Sequence, residues 1–238
     1  MKKLILLVVA LLSVGCATVP SESEILASAG PSVSILLGDS GGGTGFQLSH
    51  NGKRYTVTNS HVCALADAHG YMTAQLNDGQ LRRLKVIKDS DITDLCLLEP
   101  LNELPALILS RDSIIRPLSK YYKVGHAQLR PLNVTSGFVI DRNFVSVSTD
   151  ELPENCNKVK NKMIKVPLIF GIVIEVCVEV VDSYGSNIVV LPGDSGSPIL
   201  DSAGTVVGVA FASDNMAHWG LFVPQEHLIK LLEQADTL

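Results

Sequence analysis

The stretch LPGDSGSPIL, Leu191–Leu200, decides how the rest of the chain is read. A serine stands between two glycines, after Pro-Gly-Asp, with apolar residues on both sides. A serine that attacks a carbonyl needs an exposed hydroxyl and nearby N–H donors for the oxyanion it creates. Backbone N–H groups converge on one point only where the chain turns sharply without bulky side chains, and Gly193 and Gly196 permit that turn. A plain polar turn between two strands is the competing reading. Ser195 is the candidate nucleophile.

A serine nucleophile calls for a histidine base and a carboxylate to orient it. Upstream, TNSHVCALADAHG (Thr58–Gly70) holds His61, Cys63 and His69 within nine residues. Alone, that density invites a metal, but no further histidine or carboxylate motif completes a ligand set. DSDITDLCLLEP offers Asp89, Asp91 and Asp94 before a short apolar strand.

Around these pieces the chain reads as strands and turns. Strand candidates are Ser32–Leu37, Gly45–Leu48, Lys53–Thr58, Gln80–Lys88, Leu95–Leu98, Lys120–Gly125, Asn133–Ile140 and Phe144–Ser148. Asn51-Gly52 is a hairpin signal between the second and third. In Ile172–Val181 the residues alternate, with Glu175, Cys177 and Glu179 on one face, which predicts a half-exposed strand. A bridge from Cys177 to Cys156 would suit that face. Only the end reads as a regular helix, after Pro224 and over about 225–235, with Leu228, Ile229, Leu231 and Leu232 as its stripe.

The 238 residues carry 46% hydrophobic and 18% charged residues and a net charge of −5. No basic block is present, so nucleic acid is not an expected partner. Met1-Lys2-Lys3, the apolar run Leu4–Val14 and small residues before Cys16 form an export signal over 1–15, the run being too short to span a bilayer. Leu12-Ser13-Val14-Gly15-Cys16 resembles the lipobox of bacterial lipoproteins, which implies lipidation of Cys16 and a membrane anchor in the cell envelope. The alternative is ordinary cleavage near Ala17. Residues 16–29 are then an attachment and tether segment, with Val19–Ser28 the tether. In an oxidising compartment Cys63, Cys96, Cys156 and Cys177 suggest two disulfides, for which three pairings exist.

The serine segment resembles the nucleophile loop of the chymotrypsin/trypsin superfamily, with Pro-Gly before it as in HtrA-like and bacterial branches. Val57-Thr-Asn-Ser-His61-Val is similar to that family's histidine motif, Gly43-Thr-Gly-Phe46 to the strand preceding it, and Thr93-Asp94-Leu-Cys-Leu-Leu98 to its aspartate motif. The resemblance runs from about Pro31 to Leu232. It implies an all-β fold of two six-stranded antiparallel barrels, over about 30–112 and 118–224, within a protease domain at 30–238. It implies His61 as base, Asp94 as its orienting acid with Asp91 the runner-up, Ser195 as nucleophile, and Gly193 and Ser195 as oxyanion donors. It implies a protein or peptide substrate and no cofactor or metal. His69 has no counterpart in the motif. Val189 would set the base of the primary pocket; being uncharged, it argues against a preference for Lys or Arg. Phe211, Ala212 and Ser213 match the strand that pairs with substrate, and His218 and Trp219 lie in a nearby loop.

With His61 and Asp94 brought together, Cys63 and Cys96 are expected to pair, leaving Cys156 with Cys177. No internal activation sequence is present, so Asp194 needs a partner other than a freed N-terminus. No PDZ-like segment follows the protease region, and Ser148–Leu168 is expected to be a surface loop. A second function is kept open: a catalytically silent binding lipoprotein on the same scaffold. The sequence is silent on oligomeric state.

Overall fold

A computed structural model describes residues 19–90, 92–111, 114–142, 161–167, 173–179, 182–214 and 219–237. Asp91, Phe144–Ser148, Cys16, Cys156 and His218 lie outside the described residues.

Strands β1 (Val33–Leu37), β2 (Gly42–His50), β3 (Lys53–Thr58), β4 (Tyr71–Gln75), β5 (Leu81–Ser90) and β6 (Leu95–Leu98) form the first barrel. They run β1-β4-β5-β6-β3-β2, and β1 pairs back onto β2 to close the ring. A two-residue strand, β7 (Leu107–Ile108), adds parallel to β2. The Asn51-Gly52 turn joins β2 to β3, with φ of 50° and 77°, the left-handed pair that a two-residue hairpin demands. The second barrel takes β8 (Lys120–Gly125), β9 (Asn133–Arg142), β12 (Tyr184–Ser186), β13 (Pro198–Leu200), β14 (Val206–Asp214) and β15 (Trp219–Pro224). It closes in the order β12-β15-β14-β13-β8-β9. The expected pair of six-stranded antiparallel barrels is therefore present.

Each barrel has an apolar interior, and a third cluster knits the two together. That shared core includes Phe46, Val57 and Leu97 of the first barrel, Tyr122, Val209 and Leu221 of the second, and Leu228, Leu231 and Leu232 of the terminal helix. This helix, Gln225–Asp236, is one residue longer than expected. Its last turn is tied to β3, because Tyr55 Oη donates to Asp236 Oδ1 at 2.8 Å.

Two expectations change. Val19–Ser28 does not run as a bare tether: Glu22–Ala29 is a helix, α1. Ser21 and Glu24 form a reciprocal capping box, and Ile25 and Ala29, one turn apart, are buried in the shared core. Tyr122 Oη donates to the Pro20 carbonyl at 2.5 Å, fastening the start of the helix to β8. Likewise, part of the expected loop at 148–168 is strand β10 (Asn161–Pro167), which pairs over seven positions with β11 (Val173–Glu179). This ribbon is a sheet of its own, so β11, within the alternating stretch expected to be a strand, is not a barrel stave. Among the described residues, no helix is long and apolar enough to cross a membrane.

Candidate active site

β3 ends at Thr58, and the chain turns through Asn59 into a one-turn helix, α2 (Ser60–Cys63). The turn is fixed by Thr58 Oγ1, which donates to the Thr44 carbonyl at 2.8 Å. α2 holds the His61 ring at the surface, its side chain 49% exposed. Asp94 sits just before β6 with φ of 50°, a left-handed backbone that aims its carboxylate back at α2. Its side chain is only 10% exposed. Asp94 Oδ1 accepts from the His61 backbone N–H at 3.0 Å, and the ring Nδ1 lies 3.0 and 2.9 Å from the two carboxylate oxygens. A carboxylate can only accept, so the network places the ring proton on Nδ1 and leaves a bare lone pair on Nε2 in the neutral ring.

The backbone holds this pair as well. Asn59 Nδ2 donates to the Asp94 carbonyl at 2.9 Å. Cys63 and Cys96 form a disulfide with an S–S distance of 2.08 Å, two residues beyond His61 and Asp94 respectively. The expected Cys63–Cys96 pairing is thus present, and Cys63 offers no thiolate to a metal. Among the described residues, no three His, Cys, Asp or Glu side chains gather as a metal site requires. His69 belongs to a surface turn capped by Asp67.

The serine turn packs directly against this unit. Gly193 and Gly196 have φ of 92° and 87°. A Cβ on Gly196 would stand 2.0 Å from the Thr44 carbonyl oxygen and 2.2 Å from Thr58 Oγ1. A Cβ on Gly43 would stand 2.8 Å both from the Ser195 carbonyl oxygen and from Val62 of α2. Gly43 therefore leaves the space in which the Ser195 backbone and Val62 of the His61 helix both close on β2. The Thr44 N–H donates to the Ser195 carbonyl at 2.8 Å across that contact.

Ser195 Oγ itself donates to the Phe211 carbonyl at 3.2 Å. That carbonyl is free to accept because β14 bulges at Phe211: Ala210 pairs with Phe222 and Ala212 with Leu221. Among the described residues, Ser195 and His61 share no hydrogen bond, and the N–H groups of Gly193 and Ser195 have no acceptor. A rotation about χ1 would turn the hydroxyl from Phe211 to another acceptor.

Beneath the turn lies a charge pair that the sequence reasoning missed. Lys123, in the middle of β8, binds Asp194 Oδ2 with its ammonium; the two side chains are 1% and 0% exposed. Asp194 Oδ2 also accepts from the Leu191 N–H at 2.9 Å, and Lys123 Nζ donates to the Val189 carbonyl at 2.9 Å. The buried lysine thus ties residue 189 to residue 194, and Asp194 in turn holds residue 191. Burial pushes its pKa below the usual lysine value, and Asp194 acts against that shift. The signal was a lone lysine in the apolar run Tyr121–Val124.

The residues expected to shape specificity are distributed unevenly. Val189 turns its side chain outward, 51% exposed, while Val190 is buried and faces Gly220, where a Cβ would stand 2.7 Å from Val190 Cγ2. Phe211 points into the core between the barrels. Ala212 and Ser213 are half-buried and pair with Leu221 and Gly220.

The family model for the trypsin-like peptidase domain matches residues 43–209. No curated protein matches the chain by sequence. Solved structures with a similar fold include an inactive mutant form of Rv3671c from M. tuberculosis H37Rv, at TM-score 0.65 and 19% identity, covering 94% of this chain and 97% of that one. The HtrA-type protease AlgW, solved with a tripeptide, gives TM-score 0.66 and 23% identity, with 90% of this chain spanning 63% of AlgW. A serine endoprotease from Yersinia pestis gives 0.64 and 16%, with coverage of 91% and 66%. From the matched residues, which take in the His61, Asp94 and Ser195 motifs, the chain belongs to the family of trypsin-like peptidase domains, a serine endopeptidase family.

Proposed function

We propose that this chain is an exported serine endopeptidase that works through His61, Asp94 and Ser195 and is made without zymogen processing. The observation that carries the reading is the His61–Asp94 pair, held at 2.9 Å by Nδ1, with Val62 of the same helix and the Ser195 carbonyl both close to Gly43. Substrate binding turns the Ser195 hydroxyl from Phe211 toward His61 Nε2. His61 takes the proton as Oγ bonds to the scissile carbonyl carbon. The oxyanion is received by the N–H groups of Gly193 and Ser195, which have no acceptor among the described residues. His61 then gives its proton to the leaving nitrogen, the C–N bond breaks, and an acyl ester remains on Ser195. Water, deprotonated by His61, attacks that ester, and the free acid leaves as Ser195 recovers its proton. Asp94 keeps His61 in the tautomer this sequence needs.

Asp194 already has a cation inside the fold, Lys123, so no freed amino terminus is required to pair with it. Export through the 1–15 signal and lipidation at Cys16 place the enzyme at the cell envelope, and a disulfide beside the site suits an oxidising compartment. Protein or peptide is the substrate class. Val189 and Ala212–Ser213 are the residues proposed to shape the pocket before the scissile bond, with small or medium apolar side chains preferred.

A fluorophosphonate probe is expected to label the mature protein and to fail on Ser195→Ala. Labelling that persists in that variant defeats the assignment. One observation favours a silent binding protein instead: Ser195 Oγ rests on Phe211 rather than His61. A folded wild-type protein that takes no label and cleaves nothing in a diverse peptide library decides for that reading. Mass spectrometry of the mature N-terminus tests lipidation, which a terminus at Ala17 excludes.

A further inference from the structure

Next to the serine turn, residues 126–130 adopt an uncommon backbone. Gln128 and Leu129 have φ of 56° and 53°, two successive residues with a Cβ in the left-handed region. Such strain persists only where surrounding contacts impose it, and it concentrates at sites that use it. Here the contacts are specific. The Gln128 N–H donates to the Pro192 carbonyl at 2.5 Å. The His126 N–H donates at 3.1 Å to Thr44 Oγ1, which in turn donates to the Gly193 carbonyl at 2.7 Å. The carbonyls on both sides of Gly193 are therefore held, one directly by this turn and one through a single hydroxyl. A trans peptide points its N–H opposite to its C=O. Pinning the Pro192 carbonyl toward Gln128 thus directs the Gly193 N–H away from the turn. A Cβ on Gly193 would stand 2.7 Å from the His126 carbonyl oxygen, so the two turns are in close contact.

The turn is closed by a side chain. The buried His126 ring places Nδ1 2.9 Å from the Arg130 carbonyl. A carbonyl only accepts, so Nδ1 carries the proton. The ring bridges both ends of the segment whose middle is strained.

We propose that residues 126–130 form a clasp that sets the orientation of the Pro192–Gly193 peptide, with the His126 imidazole as its latch and Thr44 as its second attachment. While the latch is closed, the strained turn keeps the Gly193 N–H available to an oxyanion. When it is open, Gln128 and Leu129 relax, the Pro192 carbonyl loses its donor, and the peptide is free to rotate. His126, Gln128 and Thr44 are positioning groups that act through Gly193. The inference rests on the serine endopeptidase reading above.

The test compares His126→Leu, which keeps bulk but removes the latch, with His126→Asn, whose amide can still donate to the Arg130 carbonyl. Loss of one oxyanion donor costs about 100- to 1000-fold in kcat. His126→Leu is expected to lower kcat by about ten- to a hundredfold with KM within twofold, since the donor is misdirected rather than deleted. A peptide aldehyde inhibitor, which reacts to give an oxyanion, should weaken by the same factor as kcat. His126→Asn should restore both to within about threefold of wild type, an order-of-magnitude expectation from the retained donor. Thr44→Val removes the second attachment and is expected to repeat the His126→Leu pattern; it decides the matter if His126→Leu does not fold. The clasp is overturned if kcat and aldehyde affinity are unchanged in both variants, or if kcat falls only in step with the unfolded fraction. If the wild-type protein itself takes no fluorophosphonate, it is the peptidase reading that fails.

Discussion

Lys123 and Asp194 pose the sharpest energetic question at the level of single residues. Taking two charges out of water costs several kcal/mol per ion, so the pair must be nearly fully satisfied to be tolerated. Lys123 Nζ and Asp194 Oδ2 meet that condition through the Val189 carbonyl and the Leu191 N–H, both parts of the segment that carries Ser195, while the buried Asp194 Oδ1 has no hydrogen-bond partner among the described residues. Lys123→Met is expected to destabilise the protein by about 3–5 kcal/mol, because it strands a buried carboxylate. The double variant Lys123→Met/Asp194→Asn should recover at least half of that loss in urea titrations, since no unpaired charge remains. A double variant no more stable than the single one contradicts the account. Residues of this kind also mark the limit of sequence reading. His61, Asp94 and Ser195 could be singled out as candidates because each lies in a short motif, at the end of a strand, at the start of one or in a glycine-flanked turn, that resembles a family pattern. Lys123 could not, because a lysine in an apolar strand looks like an exception until its partner, 71 residues away, is brought beside it. The left-handed Gln128 and Leu129 have no compositional signature at all, since neither residue type favours positive φ.

Two elements were legible in part, and each carries a prediction. The strands could be read from alternation, the Asn51-Gly52 turn and the runs of Val, Leu and Thr, whereas their closure into two barrels was implied by the family resemblance. Strands as short as β12, three residues, or as plain as β4, Tyr71–Gln75, are fixed by neighbours across the ring rather than by their own pattern. Helix α1 did show a signal, the Ser21-x-x-Glu24 capping box, but two buried residues in eight give too narrow an apolar stripe to outweigh its polar look. A docked helix and a tether differ in energy. Ile25→Ala is expected to cost about 2–5 kcal/mol of unfolding free energy, a large-to-small loss in the core. Truncating a tether residue would cost nothing measurable. The second element is the disulfide joining α2 to β6 across 33 residues. Cys63→Ala/Cys96→Ala should lower stability by about 3–4 kcal/mol, measured by denaturant unfolding under non-reducing conditions. A loss below about 1 kcal/mol would mean that the hydrogen bonds between Asn59, His61 and Asp94 suffice without the bridge.

For the molecule as a whole, stability follows the protons the folded state refuses. Burial pushes His126 below the ordinary histidine value, partly offset by its bond to Arg130. The unfolded chain then binds a proton at His126 before the folded one does, so stability falls as pH drops below about 6.5 and levels off beneath the folded value. The carboxylates act lower down. The Tyr71 backbone N–H, helped by Arg83, holds Asp67 at about 2, and hydrogen bonds from Arg142 and then His227 hold Asp182 below its usual value. Their contribution is complete above the ordinary carboxylate range and is lost as pH falls from about 4 toward 2. Thermal midpoints measured from pH 8 to 2 should therefore decline in two stages, and His126→Asn should remove the first. A single decline confined below pH 4 in the wild type contradicts this.

The docking of α1 also sets a length. Only residues 17–21 separate Cys16 from the first residue of that helix, and five residues fully extended reach roughly 18 Å. With a lipid on Cys16, as proposed above, the peptidase would be a short-leashed enzyme, held within about half its own diameter of the bilayer surface. Its encounters would then be those of a two-dimensional reactant. Chains emerging at, or lying along, the membrane would meet it at high local concentration, and a soluble protein of equal intrinsic cleavability would meet it rarely.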